Sequence, residues 1–306
     1  MSTISIVIPC YNEEESIGHF YTAIQTLQQQ LPEVTMELIF IDDGSKDGTE
    51  QCLTALHARD NRVKYLSFSR NFGKEAAIFA GLRTATGDCV VVMDADLQHP
   101  PGAIIEMYHK WQEGYEVVEG IKINRGEESR VHRWFADGFY ALLGKMMGID
   151  MKNTSDYKLL DRKVVEVLGQ LQERDTFFRA LSYWVGFKST TVHYEVGKRV
   201  AGKTKWSYFA LLRYAIKNLI AFSFAPLYFI TLVGGVIFLM GAGFGIDAVI
   251  SYARGASAMG YPTLVFLLLL LTGGIMLSLG IVGIYIAKIY EQSKNRPQYI
   301  IRRRSE

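Results

Sequence analysis

The sequence predicts an α/β protein: a mostly parallel sheet, followed by two C-terminal transmembrane helices. Three observations carry this. The first 120 residues alternate short β-branched runs with helical patterns, the signature of βαβ units. Each strand-like run empties into a polar cluster. Residues 219–246 and 255–287 carry no charged side chain, and each stretch exceeds the roughly 20 residues that cross a bilayer core.

The elements follow in order. Strands are expected at Ile4–Pro9, Met36–Ile41, Val63–Phe68, Cys89–Met93 and Glu116–Gly120, apolar runs bounded by Pro, Asp, Asn and Gly. Helices are expected between them at Glu14–Gln30, Asp47–Arg59 and Lys74–Thr84, where apolar residues recur at helical spacing. In such sheets ligands gather at the carboxyl ends of the strands. Four polar clusters would meet there: Pro9-Cys10-Tyr11-Asn12-Glu13, Asp42-Asp43-Gly44-Ser45, Ser69-Arg70-Asn71-Phe72-Gly73-Lys74 and Asp94-Ala95-Asp96. No G-x-G-x-x-G follows the first strand and no G-x-x-x-x-G-K-[ST] occurs, so dinucleotide and P-loop readings lose their main support.

Asp94 and Asp96 stand at i, i+2 behind an apolar run. Strand side chains alternate, so the pair is expected on one side of the chain. Two hard oxygen ligands suit Mg2+ or Mn2+, which take their other ligands from water and phosphate. Residues 121–155 bring Lys122, Arg125, Arg130 and Arg133 around a Gly-Glu-Glu turn, ahead of an aromatic, Met-rich helix at Trp134–Met147. They read either as a solvated amphipathic element or as a basic segment that holds phosphates. Asp156 precedes an apolar run and could cap a strand or turn. A strand is expected at Thr190–Glu195, and Tyr208–Phe224 reads as an amphipathic helix in the headgroup region.

Charge flanking the apolar stretches sets an orientation. Lys198, Arg199, Lys203, Lys205, Arg213 and Lys217 precede them without an acid, and Lys288, Lys294, Arg296 and Arg302–Arg304 follow. The positive-inside rule places residues 1–217 and the tail in the cytoplasm, at the cell membrane. Ile4–Ile8 is too short for a signal peptide, so none is expected. Cys10, Cys52 and Cys89 lack metal-type spacing and read as small core residues of a reduced compartment. The net charge of +2 is nearly neutral, and no nucleic-acid partner is expected.

Together these motifs resemble the inverting glycosyltransferases of family 2, with the Rossmann-like GT-A nucleotide-diphospho-sugar transferase fold. The resemblance is closest to polyprenyl-phosphate glycosyltransferases, the bactoprenol glucosyltransferases and dolichyl-phosphate mannose synthases. Val7-Ile8-Pro9-Cys10-Tyr11-Asn12-Glu13-Glu14 is similar to the family's opening strand and loop, and Asp42-Asp43-Gly44-Ser45-Lys46-Asp47-Gly48-Thr49 to its D-D-G-S-x-D-G-T. Ser69–Glu75 and Asp94-Ala95-Asp96-Leu97-Gln98-His99-Pro100-Pro101 resemble two further hallmarks, and Lys294–Ile301 resembles the tail of the bacterial undecaprenyl-phosphate branch. Ser155-Asp156-Tyr157-Lys158 replaces Gly-Asp-Phe-Arg, which keeps the positive charge but loses the two-pronged guanidinium.

The resemblance implies roles for matching positions. Pro9, Tyr11, Glu13 and Asp43 would hold uridine with Asp42 nearby, and Asn12, Lys74, Asp94 and Ala95 would complete the nucleotide-sugar site. Asp94, Asp96 and Gln98 would bind Mg2+ or Mn2+. Asp156 would act beside Asp96 in catalysis, either taking a residual proton or orienting the acceptor. Arg125, Arg130, Lys158, Arg199 and Lys205 would hold the acceptor phosphate. The expected reaction moves a hexose from a UDP-sugar to undecaprenyl phosphate, with glucose first, N-acetylglucosamine second, and mannose or an aminopentose behind. A homo-oligomer, a separate flippase and a downstream glycosyltransferase are implied partners.

The implied organisation is a catalytic domain over 1–205, a juxtamembrane helix over 206–225, two spans over 226–288 and a basic tail over 289–306. Two rivals stand beside this reading. A processive polysaccharide synthase needs Q-x-x-R-W after its third aspartate, whereas Arg130-Val131-His132-Arg133-Trp134 lies before Asp156. A membrane-anchored sensor without turnover shares the fold, but a pure binder has no evident use for Asp156.

Overall fold

The computed structural model describes residues 2–123, 155–171, 177–195, 225–254 and 260–305. The described elements run β1 (Ser2–Cys10), α1 (Glu14–Gln30), β2 (Val34–Asp42), α2 (Thr49–His57), β3 (Val63–Phe68), α3 (Lys74–Thr84) and β4 (Cys89–Val92). Then come α4 (Ala103–Gln112), β5 (Val117–Lys122), β6 (Lys158–Asp161), α5 (Arg162–Gln170), α6 (Phe178–Trp184) and β7 (Ser189–Tyr194). Two long helices, α7 (Ala225–Ala253) and α8 (Tyr261–Ser293), precede β8 (Ile301–Arg304).

The strands form one sheet in the order β7-β5-β6-β4-β1-β2-β3-β8. β4, β1, β2 and β3 are mutually parallel, while β6 runs antiparallel between β4 and β5 and β8 antiparallel along β3. Strand order reverses between β1 and β4, the switch point where a ligand crevice opens at the carboxyl ends. Because β6 runs the other way, its beginning lies at that same edge, which brings Asp156 there two residues earlier. Pro9 falls beyond the last β1–β4 pair, Val7↔Val92, so its missing N–H removes no ladder bond on that side.

Both faces of the sheet are covered, so the central strands are apolar throughout rather than alternating. Ile4, Ile6 and Ile8 of β1 join a core with Phe20 and Ile24 of α1, Leu53 of α2 and Met107 of α4. The opposite face takes α3, which lies so close that a Cβ on Gly81 would stand 2.2 Å from Val7 Cγ1. The expected strands are present within two residues at each end, and α3 has the expected bounds.

The chain divides into two compact units, Met1–Tyr208 with Arg296–Glu306, and Phe209–Asn295. The tail thus contributes a strand to the first unit: Ser69 N donates to Ile300 O at 2.9 Å, and Tyr299 stacks on Phe68 at 4.9 Å. In the second unit the expectation of two membrane spans, at Pro226–Ile250 and Pro262–Ala287, needs correction. Among the described residues one stretch, Leu270–Ser293, is long and apolar enough to cross a membrane. In α7 a shorter apolar stretch, Phe229–Gly241, is present among the described residues. Arg125, Arg130, Arg199 and Lys205, the helix at Trp134–Met147 and that at Tyr208–Phe224 lie outside the described residues.

Candidate active site

The loops after β1 and β2 interlock. Asn12, at φ 57°, donates its N–H to Ser45 Oγ at 2.9 Å, and its own Oδ1 accepts from Lys46 N at 2.9 Å. Glu13 N donates to Thr49 Oγ1 at 2.9 Å. Gly44, at φ +67°, allows the β2 loop to press on the backbone of Arg70, where a Cβ would meet the Arg70 carbonyl carbon at 2.4 Å. Tyr11 is exposed above these loops and Pro9 is half-buried.

The paired aspartates divide their tasks. Asp43, 3% exposed, accepts from Phe72 N at 2.6 Å and Gly73 N at 2.9 Å, so it latches the loop that starts α3. Burial raises its pKa, against the pull of those two N–H groups. Asp42 is fully buried: its Oδ1 accepts from Ser45 N at 2.9 Å, while Oδ2 finds no partner among the described residues. A buried acceptor left open in this way is rare and suits a ligand N–H.

Asp94 and Asp96 do not reach one side by strand alternation, as the spacing suggested. β4 ends at Val92, and both residues sit in the turn beyond it, where Leu97 adopts φ 59°. Asp94 is half-buried, with its oxygens 2.6 and 2.8 Å from Lys74 Nζ. Asp96 is buried and accepts from Gln98 N at 3.1 Å, and Ala95 between them is buried too. Among the described residues no three His, Cys, Asp or Glu side chains gather to hold a metal by themselves. Two carboxylates nevertheless fit a divalent ion that completes its shell with phosphate and water. The Lys74 ammonium beside Asp94 shows that a cation is accommodated at this place.

Asp156 is the centre of the site. Lys74 Nζ reaches its Oδ2 at 2.9 Å, and Arg179 of α6 grips both oxygens, Nε to Oδ1 at 2.7 Å and Nη2 to Oδ2 at 3.0 Å. Burial alone would raise its pKa, but the charges of Lys74 and Arg179 outweigh burial and hold it well below the usual carboxylate range. Packing around the ammonium likewise opposes the charged Lys74, although 41% of its side chain stays exposed, and Asp156 and Asp94 overcome it and raise its pKa. Glu75, which accepts from Phe178 N at 2.8 Å, behaves oppositely: burial and then the Asp156 charge push it up to about 7.

The neighbours of Asp156 are fixed. Ser155 N donates to Glu119 Oε1 at 2.8 Å, and Tyr157 OH donates to Pro100 O at 2.9 Å, tying β6 to the Asp94 loop. His99 stacks on Tyr157 with ring centroids 4.9 Å apart. Lys158 corrects the sequence reading. Its side chain is fully buried, 3.3 Å from Glu119, 2.8 Å from Ser182 Oγ and 4.3 Å from the Tyr183 ring centre. A charge so enclosed needs its partner and cannot turn out to a phosphate.

Sequence reasoning thus brought Asp94, Asp96, Asp156 and Lys74 to one edge of the sheet but missed Arg179, Glu75 and His99. Glu75 and His99 stood inside quoted motifs without a role. No local pattern marks Arg179, which meets Asp156 from 23 residues away.

Comparison with known proteins fits this geometry. Residues 5–169 match the family model described as Glycosyl transferase family 2. Over 98% of this chain, 39% of positions are identical to the prophage bactoprenol glucosyl transferase homolog of Escherichia coli K12, of which 98% is covered. Bactoprenol glucosyl transferase of Shigella phage SfV is 40% identical, again with 98% of both chains covered. Among solved structures, glucosyl-3-phosphoglycerate synthase of Mycobacterium tuberculosis, in complex with Mg2+ and uridine-diphosphate, aligns with a TM-score of 0.51. It is 27% identical, over 72% of this chain and 79% of that one.

Proposed function

The chain belongs to glycosyl transferase family 2 and is a glycosyltransferase, and from that premise we propose that it moves glucose from UDP-glucose to a polyprenyl phosphate at the membrane surface. The observation that carries this reading is the Asp94–Lys74–Asp156–Arg179 cluster at the switch point, an anion-binding centre built for two phosphate-bearing substrates. Support for the acceptor comes from relatives named bactoprenol glucosyl transferases, which are matched through both C-terminal helices. Support for the donor comes from the synthase that binds Mg2+ and uridine-diphosphate. No observation favours a sensor without turnover or a processive synthase.

In the proposed reaction a phosphate oxygen of the acceptor forms a bond to the anomeric carbon as the bond from that carbon to UDP breaks. UDP leaves with the electron pair, and attack from the opposite face inverts the configuration. The second pKa of a phosphate monoester is about 6, so the nucleophile is largely dianionic at neutral pH and has no proton to lose. Asp42, with its open Oδ2, would accept the uracil N–H, and Tyr11 and Pro9 would flank the base. Asp94 and Asp96, with Gln98 next to them, would hold a Mg2+ or Mn2+ ion that supplies Lewis-acid compensation for the departing pyrophosphate. Lys74 adds fixed positive charge between the two phosphates, where low dielectric strengthens it.

The membrane reading rests on α8, whose large apolar side chains, Leu277 at 73% among them, are exposed to whatever surrounds the helix. β8 and β1 share one sheet, so a chain that enters a bilayer between them would have to return to the side it left. The basic residues after α8 then put the catalytic unit and both ends on the cytoplasmic side. The product would need a separate flippase and a downstream transferase, and the enzyme would work as a homo-oligomer.

The test uses washed membranes, undecaprenyl phosphate, Mg2+ and a panel of radiolabelled UDP- and GDP-sugars, followed by organic extraction. Lipid-linked label from UDP-glucose, lost with EDTA, is expected. Label from UDP-N-acetylglucosamine alone would correct the sugar, and no label from any donor would overturn the reading.

A further inference from the structure

Resting on the polyprenyl-phosphate reading, we infer that Arg179 is the residue that grips the acceptor phosphate, and that Asp156 is the counter-ion that aims it rather than the base. The cation that the sequence places beside Asp156 is Lys158, and the structure takes Lys158 out of the site. Its ammonium is sealed among Glu119, Ser182 and Tyr183, with no exposed surface. These contacts dock α6. Ser182 Oγ donates to Arg179 O at 2.9 Å, and Tyr183 OH donates to Glu119. The docked helix presents Arg179 to Asp156 by a two-pronged contact, with 28% of the Arg179 side chain still exposed. The buried lysine therefore acts as an anchor, and a guanidinium from further along the chain supplies the planar fork that suits phosphate.

Asp156 is unsuited to take a proton in this arrangement, since Lys74 and Arg179 both hold it in its charged form. A dianionic phosphate does not ask it to. Its role is to fix two cations: Lys74, which also touches Asp94 on the donor side, and Arg179 on the acceptor side. Arg179 contributes N–H donors to the attacking phosphate while Asp156 keeps its plane in place.

The full-length protein in detergent is titrated with undecaprenyl phosphate and, separately, with UDP plus Mg2+, for wild type, R179Q, R179K and D156N. R179Q is expected to weaken undecaprenyl phosphate binding about tenfold or more, the scale of one lost charge-assisted contact, with UDP binding within twofold of wild type. R179K keeps the charge and guards against a folding defect; it should weaken lipid-phosphate binding by less. D156N should weaken the same titration and raise the acceptor KM, and the double variant should be no worse than the poorer single one. Wild-type binding of undecaprenyl phosphate by R179Q and R179K overturns the inference alone, provided wild type makes lipid-linked sugar. D156N that lowers kcat with an unchanged acceptor KM restores Asp156 as the base. Wild type that binds UDP but no undecaprenyl phosphate overturns both the inference and the acceptor reading beneath it.

Discussion

Two charged clusters lie a few residues apart in this molecule, and they are built to opposite ends. Around Lys158 every charge is enclosed: the lysine has no exposed surface and Glu119 only 2%. Around Asp156 the carboxylate is enclosed but its cations are not, with Lys74 41% and Arg179 28% exposed. A sealed pair spends its donors inside the protein and returns rigidity. An open pair keeps its cations in reach of solvent, so that an incoming anion can share them. The same residue types become anchor or site according to which partner keeps contact with water.

The sharpest way to break that contrast is to remove one half of the sealed pair. Glu119→Gln leaves a lysine buried without its counter-charge, and unfolding in urea should show a loss of about 3–5 kcal/mol. A loss below about 1 kcal/mol would mean that water already reaches Lys158, and the distinction between the clusters would fail. In the open cluster the largest effect is on chemistry instead. Asp96→Asn should lower sugar transfer by about a hundredfold or more, the range for losing one electrostatic stabiliser, while membrane insertion stays intact. Near-normal transfer in washed membranes would remove Asp96 from the ion site.

The two clusters also differ in how far the sequence disclosed them. Asp94, Asp96 and Asp156 were legible because each follows or precedes an apolar run, and a parallel sheet brings strand ends together. The route was partly wrong: the β4 aspartates sit in a turn, and strand alternation does not govern turns. Lys158 was assigned to the phosphate and Arg179 was missed because burial is a tertiary property, and a four-residue strand, Lys158–Asp161, carries no periodicity to reveal which side chains turn inward. The tail strand was hidden in the same way. Ile-Arg-Arg-Arg has the composition of a solvated tail, yet charged residues are also what protects an edge strand. The apolar runs located α7 and α8.

Glu75 offers a smaller test within the open cluster. Its folded-state pKa of about 7 exceeds the ordinary 4.5, because burial and the neighbouring Asp156 charge disfavour ionisation. The folded protein therefore binds this proton more tightly than the unfolded chain does. The stabilising contribution of Glu75 is complete below pH of about 4.5, falls as the pH rises toward 7, and stays lost above it. Glu75→Gln removes that slope while its side-chain oxygen can still accept from Phe178 N. Melting above pH 7 should show the variant more stable by about 1–3 kcal/mol, with the advantage vanishing near pH 4.5. An advantage independent of pH would place its origin in packing and not in charge.

The least effect is expected where both partners face water. Arg302 of the tail strand pairs with Glu50 at 53% and 21% exposure, and Arg303 approaches the same carboxylate at 3.8 Å. Neither partner was taken out of water to form the contact, and salt screens what attraction remains. Arg302→Ala should cost less than about 1 kcal/mol in urea unfolding, and the difference should shrink in high salt. The backbone ladder between β3 and β8 and the Tyr299–Phe68 stack stay in place without that side chain. A cost above about 2 kcal/mol would put an exposed pair on the scale of the buried one. Burial would then not be what separates anchor from site, and the reason for assigning Lys158 and Arg179 to different tasks would have to be found in geometry alone.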